Sequence, residues 1–469
     1  MTKNPFDLSR LFRWKLALCL TLLPSLALGQ EGALTVDQAV QQAVARYPSV
    51  RVSEERLSVA VAAIKLARTT YLPRIDFLAQ FNRATHNNLF GLVLPQINLP
   101  VISSISGPVL GTNSLDSVWG SMVGSLVSWE PFDFGLRSAN VQVAKSAQSL
   151  ANTQLNVTKL QVAAAAADTF LTILAAQQTV TAAQAAVERA KTLGQVVDAL
   201  VNSQLRPGAD ASRAHAELAL AQTQQIQAQE AVGIGRAVLA QLLGVPPQSI
   251  QLDPGPLLQQ PREPGVPETP VSQHPYVLAQ NAVIDEVKAR ERVLDKSYSP
   301  RFSLQATSYA RGTGIQPDGT TGGGASGLGP NIQNWAVGMT VTFPAFDWFS
   351  IRAKKEIEHH TERAEAARYE QVVQDLNGQQ EQARVTLASA LQVAQNTPIQ
   401  LAAAEATVEQ ATARYKAGLA TIIEVAEAQR LLTQAEIDDG LAKLGIWRAQ
   451  LALSLAQGDL DPFLSAARK

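Results

Sequence analysis

Large apolar side chains stand at alternate positions from Trp335 to Phe343, as Trp335, Val337, Met339, Val341 and Phe343, with Asn334, Ala336, Gly338, Thr340 and Thr342 between them. A period of two sends the two sets to opposite faces, so the segment reads as an amphipathic strand. Phe302, Leu304, Ala306 and Ser308 alternate with Arg301, Ser303, Gln305 and Thr307 and supply its hairpin partner, across a glycine-rich connection from Gly312 to Gly329. An earlier pair begins with Ile75, Phe77, Ala79 and Phe81 against Asp76, Gln80 and Asn82. Its connection, Arg83 to Asp116, carries Pro95, Pro100 and Pro108, and a less regular segment from Ser117 to Trp129 follows. Strands are therefore expected over about 74–82, 117–129, 301–310 and 334–343.

After each strand pair the period changes. The stretches 136–205 and 350–417 are rich in Ala, Gln, Glu and Leu, and apolar residues recur at helical spacing: Val143, Leu150 and Val157 lie seven apart, as do Val180 and Val187. A helix of about 70 residues is roughly 100 Å long. Its apolar stripe has to be buried along neighbouring helices, and the many alanines permit close, coiled-coil-like packing. Pro398 predicts a kink in the second rod, because it removes one ladder hydrogen bond and crowds the turn before it. Each rod ends near a glycine, Gly208 in Arg206-Pro207-Gly208-Ala209 and Gly418 in Lys416-Ala417-Gly418-Leu419. Glycine accepts the left-handed conformation of a helix C-cap. Returning helices are expected over 209–244 and 419–457.

The two halves are copies. Tyr71-Leu72-Pro73-Arg74-Ile75 returns as Tyr298-Ser299-Pro300-Arg301-Phe302, and each lies 25 residues after another proline, Pro48 and Pro275. The first repeat spans 30–244 and the second 271–458, with a C-terminal tail at 459–469. Between them, 245–270 holds eight prolines in 26 residues and is expected to be an extended linker. Duplications of this size build quasi-symmetric shells. The expected fold is mostly α with a small β part: one elongated body of long antiparallel helices carrying four strands.

Composition narrows the setting. Lys plus Arg number 39 against 40 acidic residues, so no global basic field is available to hold a nucleic acid. Residues 1–29 carry Lys3, Arg10, Arg13 and Lys15, then an apolar run and Ala27-Leu28-Gly29, the pattern of a signal peptide cut after Gly29. Cys19, the single cysteine, lies inside that run behind a bulky Leu18, where a lipoprotein box wants a small residue. Lipidation is not expected, and the mature chain has no thiol. No later segment offers the ~20 uninterrupted apolar residues of a membrane helix; Ala163 to Ala176 comes nearest, broken by Asp168, Thr169 and Thr172.

A secreted chain of this kind is soluble or crosses an outer membrane as strands. Its strands have the length a tilted membrane strand needs, about 9 to 11 residues, with aromatics near their ends. Four strands cannot close as a membrane barrel, for which ~8 is the lower limit, and open edges in lipid cost several kcal/mol per unpaired backbone group. Strands that face lipid therefore require several chains to pool them.

The chemistry of sites is sparse. His86, His215, His274, His359 and His360 are scattered, and the adjacent pair points to two sides of a helix, so no metal or cofactor is expected. No Gly-x-x-x-x-Gly-Lys phosphate loop occurs, and Gly233-Ile234-Gly235 lies in a helical pattern and reads as a packing contact. Paired carboxylates on helices read as solvated faces. The chain is not expected to be an enzyme, and energy must come from partners.

Taken together, the patterns resemble the TolC-like outer-membrane efflux protein family. Leu34-Thr35-Val36-Asp37-Gln38-Ala39 is similar to the family's opening helix, the Tyr71 and Tyr298 motifs to its strand openings, and Phe132-Asp133-Phe134-Gly135-Leu136-Arg137 to its strand-to-helix turn. The second such turn, Phe346 to Arg352, has one residue more and lacks the glycine. The resemblance implies a homotrimer in which twelve strands form one outer-membrane barrel and the helices a periplasmic tube. It would be the passive exit duct of a drug-efflux or type I secretion machine. It also implies docking, near Gly208, Gly418 and Leu419, onto a periplasmic adaptor and an inner-membrane transporter of the RND, ABC or MFS type. Strand arithmetic alone permits two or four chains as well.

The same resemblance implies a gate at the helical tip. Tyr415, and the acids Glu424 and Glu427 three residues apart, match the stretch where the family places a luminal double carboxylate ring. Residues three apart share a helix face, and such a ring favours cations. Ala420 stands where an arginine often links neighbouring helices, and Ala214 where the first half often supplies an acid; Asp210 and Arg213 lie close by as substitutes. An alternative of another class is a periplasmic coiled-coil scaffold whose strands pack on themselves and form no channel.

Overall fold

The computed structural model describes residues 33–85, 116–261 and 269–468. The expected signal peptide with Cys19, His86 with most of the first strand connection, and residues 262–268 of the linker lie outside them. Two short helices open the chain, α1 (Val36–Arg46) and α2 (Pro48–Thr69), followed by β1 (Arg74–Thr85), β2 (Ser117–Phe132), α3 (Leu136–Asn202) and α4 (Gly208–Leu243). The second half runs α5 (Pro275–Lys296), β3 (Arg301–Thr313), β4 (Ile332–Thr342), α6 (Trp348–Lys416) and α7 (Ile422–Gln457), and α8 (Asp461–Arg468) ends the chain.

The duplication is visible element by element. The order α2-β1-β2-α3-α4 recurs as α5-β3-β4-α6-α7, with helix lengths of 22 and 22, 67 and 69, and 36 and 36 residues. Pro48 and Pro275 each open their helix, where a missing N–H costs nothing and the fixed φ suits the first turn.

The four strands form one antiparallel sheet in the order β1-β2-β3-β4. Its register aligns the alternating pattern across every strand. Ile75, Val127, Ala306 and Val337 lie in one row, and Asp76, Leu126, Thr307 and Ala336 in the next. One face is thus apolar along β1 and β4, with serines Ser121, Ser125 and Ser308 interspersed in the central strands, and the other is largely small or polar apart from Leu78, Met122 and Leu126. Among the described residues nothing covers the apolar face: Phe77 is 84% exposed, Trp335 78% and Met339 69%. Among the described residues, β1 and β4 are the edges of the sheet.

The helices pack side by side into a layer of their own. Helix α3 packs against both α4 and α7, and α6 packs on α7. The central and flanking positions differ sharply in burial: α3 buries 22 of its 67 residues, whereas α6 buries nine of its 69. Helix α3 is long and apolar enough in part to cross a membrane, but its apolar stretch, including Phe170, Leu171, Ile173 and Leu174, is the main core. That core gathers α1, the end of α4, Ile250 and Leu257 of the linker, Trp447 of α7, and α8.

Three details add to the sequence reading. The tail carries a helix: α8 buries Phe463, Leu464 and Ala467, and Arg468 pairs with Asp37 of α1 at 2.6 Å. The linker is not simply extended, because short 3-10 turns at Pro247–Ser249 and Gly255–Leu258 fold it onto the core, where the Trp447 indole N–H donates to the Gln259 carbonyl at 2.9 Å. Helix α6 continues through Pro398. The carbonyl that Pro398 cannot satisfy, that of Ala394, faces the Gln260 amide at 3.5 Å, so the linker supplies a substitute donor.

Candidate functional site

The far end of the helical layer is built from two turns, one from each repeat. In the second, Gly418 takes the left-handed conformation at φ 78°, with its N–H bonded to the Tyr415 carbonyl and the Leu419 N–H to that of Arg414. In the first, Gln204 occupies the equivalent place at φ 60°, with its N–H on Val201 and the Leu205 N–H on Leu200. Both are Schellman-type C-caps. The expectation that Gly208 ends the first rod is corrected here: Gly208 opens α4 behind Pro207, and a non-glycine residue bears the left-handed turn. Leu205 and Leu419 project from corresponding positions, 70% and 71% exposed.

Tyr415 is the centre of the tip. Its ring is buried among Leu193, Val197, Ala214, Ala420, Ile422 and Val425. Its hydroxyl donates to the Asp210 carboxylate of α4 at 3.0 Å. Burial, and then the hydrogen bond and charge of Asp210, push the phenol up to about 12, against the opposite pull of Arg206. Tyr415 therefore stays protonated and donating at any physiological pH. Arg206, which the sequence reading did not single out, lies with its guanidinium 4.4 Å over the Tyr415 ring and donates to the Tyr415 carbonyl at 2.5 Å. Arg213, a candidate substitute for the family's linking arginine, pairs with Glu217 on its own helix at 3.0 Å. Glu217 also receives Arg430 of α7 at 2.8 Å, which ties the two repeats together a turn further up.

The two acids expected to form a pair are not equivalent. Glu424 is the third residue of α7 and reaches back to the Thr421 N–H at 3.1 Å while Thr421 accepts from the Glu424 N–H, a complete capping box. Its other oxygen lies 3.8 Å from Arg414. Glu427 is far more open, with Arg430 at 3.7 Å. So Glu424 shares its charge with a helix start, and Glu427 projects its own.

One histidine joins a group that its position in the sequence did not suggest. Glu291, His359 and Glu362 each bring a ligand atom within 4.8 Å of the others. They are one rung of an ion-pair ladder between α5 and α6, in which Lys288 lies 3.7 Å from Glu362 and Arg290 3.9 Å from Glu358. Glu362 and Glu358 already have cationic partners there, and Glu291 faces His359 at 4.0 Å. Of the glycine pair in α4, only Gly235 is a packing contact: a Cβ there would meet Ile173 at 2.7 Å, and one at Gly233 would meet nothing within 4 Å.

A two-faced, uncovered sheet on a rod-like double repeat is the arrangement that comparison with known proteins identifies. The outer membrane efflux protein profile matches residues 39–245 and 267–459. The chain belongs to the outer membrane efflux protein family. Its solved structural neighbours share the fold at low identity. CmeC of Campylobacter jejuni, an outer membrane channel, is 17% identical with a TM-score of 0.71 over 90% of this chain and 85% of that one. VceC of Vibrio cholerae, an outer membrane protein, is 16% identical with a TM-score of 0.70 over 90% and 96%. The open state of MtrE from Neisseria gonorrhoeae, also an outer membrane channel, gives 17%, 0.69, and 90% and 89%. No curated protein sequence matches the chain.

Membership makes this efflux protein an outer-membrane exit duct of tripartite efflux systems, in a family of transport conduits rather than enzymes. The scaffold alternative is also disfavoured by geometry, since among the described residues the strands do not pack their apolar face on themselves or on the helices. That face is the one that suits lipid.

Proposed function

We propose that three copies of this efflux protein pool their strands into one outer-membrane barrel, extend it as a helical tube through the periplasm, and gate the tube at the tip around Tyr415, Asp210, Glu424 and Glu427. One observation carries the reading: the unpaired edges coincide in every layer. Strand β1 with α2 and α4 forms one flank, and β4 with α6 forms the other. Apolar side chains stay exposed on both flanks, Val59, Leu66 and Ile226 on one and Ile357, Val385 and Ile399 on the other. Joining the flanks of successive copies pairs the strand edges and buries the helical stripes in one operation.

At the tip, Leu205 and Leu419 give each protomer two exposed apolar knobs on corresponding turns, suited to docking a periplasmic adaptor. An inner-membrane transporter of the RND, ABC or MFS type behind that adaptor supplies the energy. Glu424 and Glu427 face the bore as carboxylate rings that hold it narrow and cation-selective.

Electron microscopy and planar-bilayer recording of the detergent-purified protein test this. Trimeric particles with a small, cation-selective conductance are expected. Glu427→Gln should raise conductance and weaken cation selectivity, and Glu424→Gln should do the same while keeping the capping box, which glutamine supports equally. A water-soluble monomer would overturn the assembly, and unchanged conductance in both variants would remove the carboxylates from the gate.

A further inference from the structure

We infer that Arg206 is the residue that latches the tip shut, a role resting on the gate reading above. Two carbonyls of the second turn converge on its guanidinium: Nη2 donates to the Tyr415 carbonyl at 2.5 Å and approaches that of Ala420 at 3.5 Å. The same group covers the Tyr415 ring at 4.4 Å, while Asp210, four residues further along, takes the Tyr415 hydroxyl. Tyr415 is thereby held at both ends by the first repeat. The Tyr415 carbonyl belongs to the last turn of α6, where it also accepts the Gly418 N–H of the cap, and the helix dipole there favours a cation on its second lone pair.

The internal repeat explains how the arginine comes to lie there. Gln204 and Gly418 are the left-handed residues of the two turns, so Leu205 corresponds to Leu419, Arg206 to Ala420 and Pro207 to Thr421. One turn therefore presents a cation where the other presents a methyl group, beside the carbonyls of Tyr415 and Ala420. Pro207 confines Arg206 to extended backbone, which carries the side chain across the gap instead of back along α3. The bond is directed from one repeat to the other within a single protomer, so it resists any motion that parts α6 and α7 from α3 and α4. A planar guanidinium can donate to carbonyls and stack on the ring together. A lysine cannot do both.

Single-channel recording of the purified trimer, with Arg206→Ala, Arg206→Lys, Tyr415→Phe and Asp210→Asn compared at matched thermal stability, tests the latch. Loss of one charge-assisted hydrogen bond should shift the open-to-closed ratio by about tenfold per protomer. Both Arg206 variants should show it, while trimer melting stays at the parent value. If Tyr415→Phe and Asp210→Asn open the channel and Arg206→Ala does not, the latch is wrong and the gate stands. If none of the four changes conductance, the gate reading itself falls. If Arg206→Lys matches the parent, charge alone suffices and the stacked, bonded guanidinium is not the latch.

Discussion

The Arg137 guanidinium lies 4.9 Å over the Tyr71 ring, so the strand-to-helix turn of the first repeat is clamped to the residue that opens its first strand. Arg137 also donates to the Thr70 carbonyl at 3.1 Å and to Asp133 at 2.8 Å, and Asp133 accepts from the backbone N–H groups of Gly135 and Arg137. Burial alone would raise the Asp133 pKa, but the hydrogen bonds from Arg137 and Gly135 outweigh it and hold the group below the usual carboxylate range. Glycine at 135 has φ 94°, which lets the chain turn tightly enough to place the carboxylate.

Breaking this pair leaves a buried charge. Asp133→Ala should cost about 3–5 kcal/mol, read as a lower temperature of heat-induced trimer dissociation. The second repeat is the internal control. Asp347 is exposed and caps nothing with its side chain, so Asp347→Ala should stay within about 0.5 kcal/mol of the parent. Equal losses at the two turns would refute the clamp.

The sheet register makes a sharper claim about faces. Val337 lies in the row of Ile75, Val127 and Ala306, and Thr340 on the opposite face with Ser303. Val337→Arg should destabilise the barrel by about 2–4 kcal/mol and reduce the trimer in outer-membrane fractions. Thr340→Arg should assemble normally and move reversal potentials toward anion selectivity. The reverse pattern would mean that the apolar face does not meet lipid.

How much of this was readable in the sequence depends on whether a signal was periodic or directional. The alternation from Trp335 to Phe343 and the seven-residue spacing of Val143, Leu150 and Val157 are periodic, and they located strands and rods to within a few residues. The turn at Gly208 was misplaced because glycine was taken as the marker of left-handed backbone. Gln204 adopts it instead, in a turn whose Schellman bonds fix it. Arg206 was missed for a related reason: its partners are backbone carbonyls 209 and 214 residues away, and carbonyls leave no trace in side-chain identity. The usable signal was the alignment of Leu205 on Leu419. In α8, Phe463, Leu464 and Ala467 already show helical spacing, but eight residues after a cap glycine looked like a tail.

Gln204 supplies the third prediction. A left-handed conformation costs a non-glycine residue roughly 1–2 kcal/mol, and glycine recovers most of this at a smaller cost in chain entropy. Gln204→Gly should slow amide hydrogen exchange at Leu205, whose N–H bonds to the Leu200 carbonyl at 2.9 Å. Gly418→Ala should speed it at Leu419. No change at either amide would show that backbone strain does not limit the stability of the tip.

His274 makes the fold sensitive to acid at the seam between the repeats. It caps α5, accepting the Tyr276 N–H on Nδ1 at 3.2 Å, and its Nε2 lies 3.2 Å from the Leu455 carbonyl at the end of α7. This arrangement assigns the proton to Nε2 and leaves Nδ1 as an acceptor, so a second proton would destroy the cap. Burial lowers the His274 pKa below its ordinary value, although the bond to Leu455 opposes the shift. A depressed histidine gives stability that is complete above its unfolded pKa of about 6.5 and is lost as pH falls through the folded value, because the unfolded chain takes up the proton first. Melting temperature should therefore drop between about pH 7 and about pH 5. His274→Asn keeps a capping acceptor without a titrating group, and its curve should be flatter over that interval. A variant that follows the parent's slope would place the acid sensitivity elsewhere.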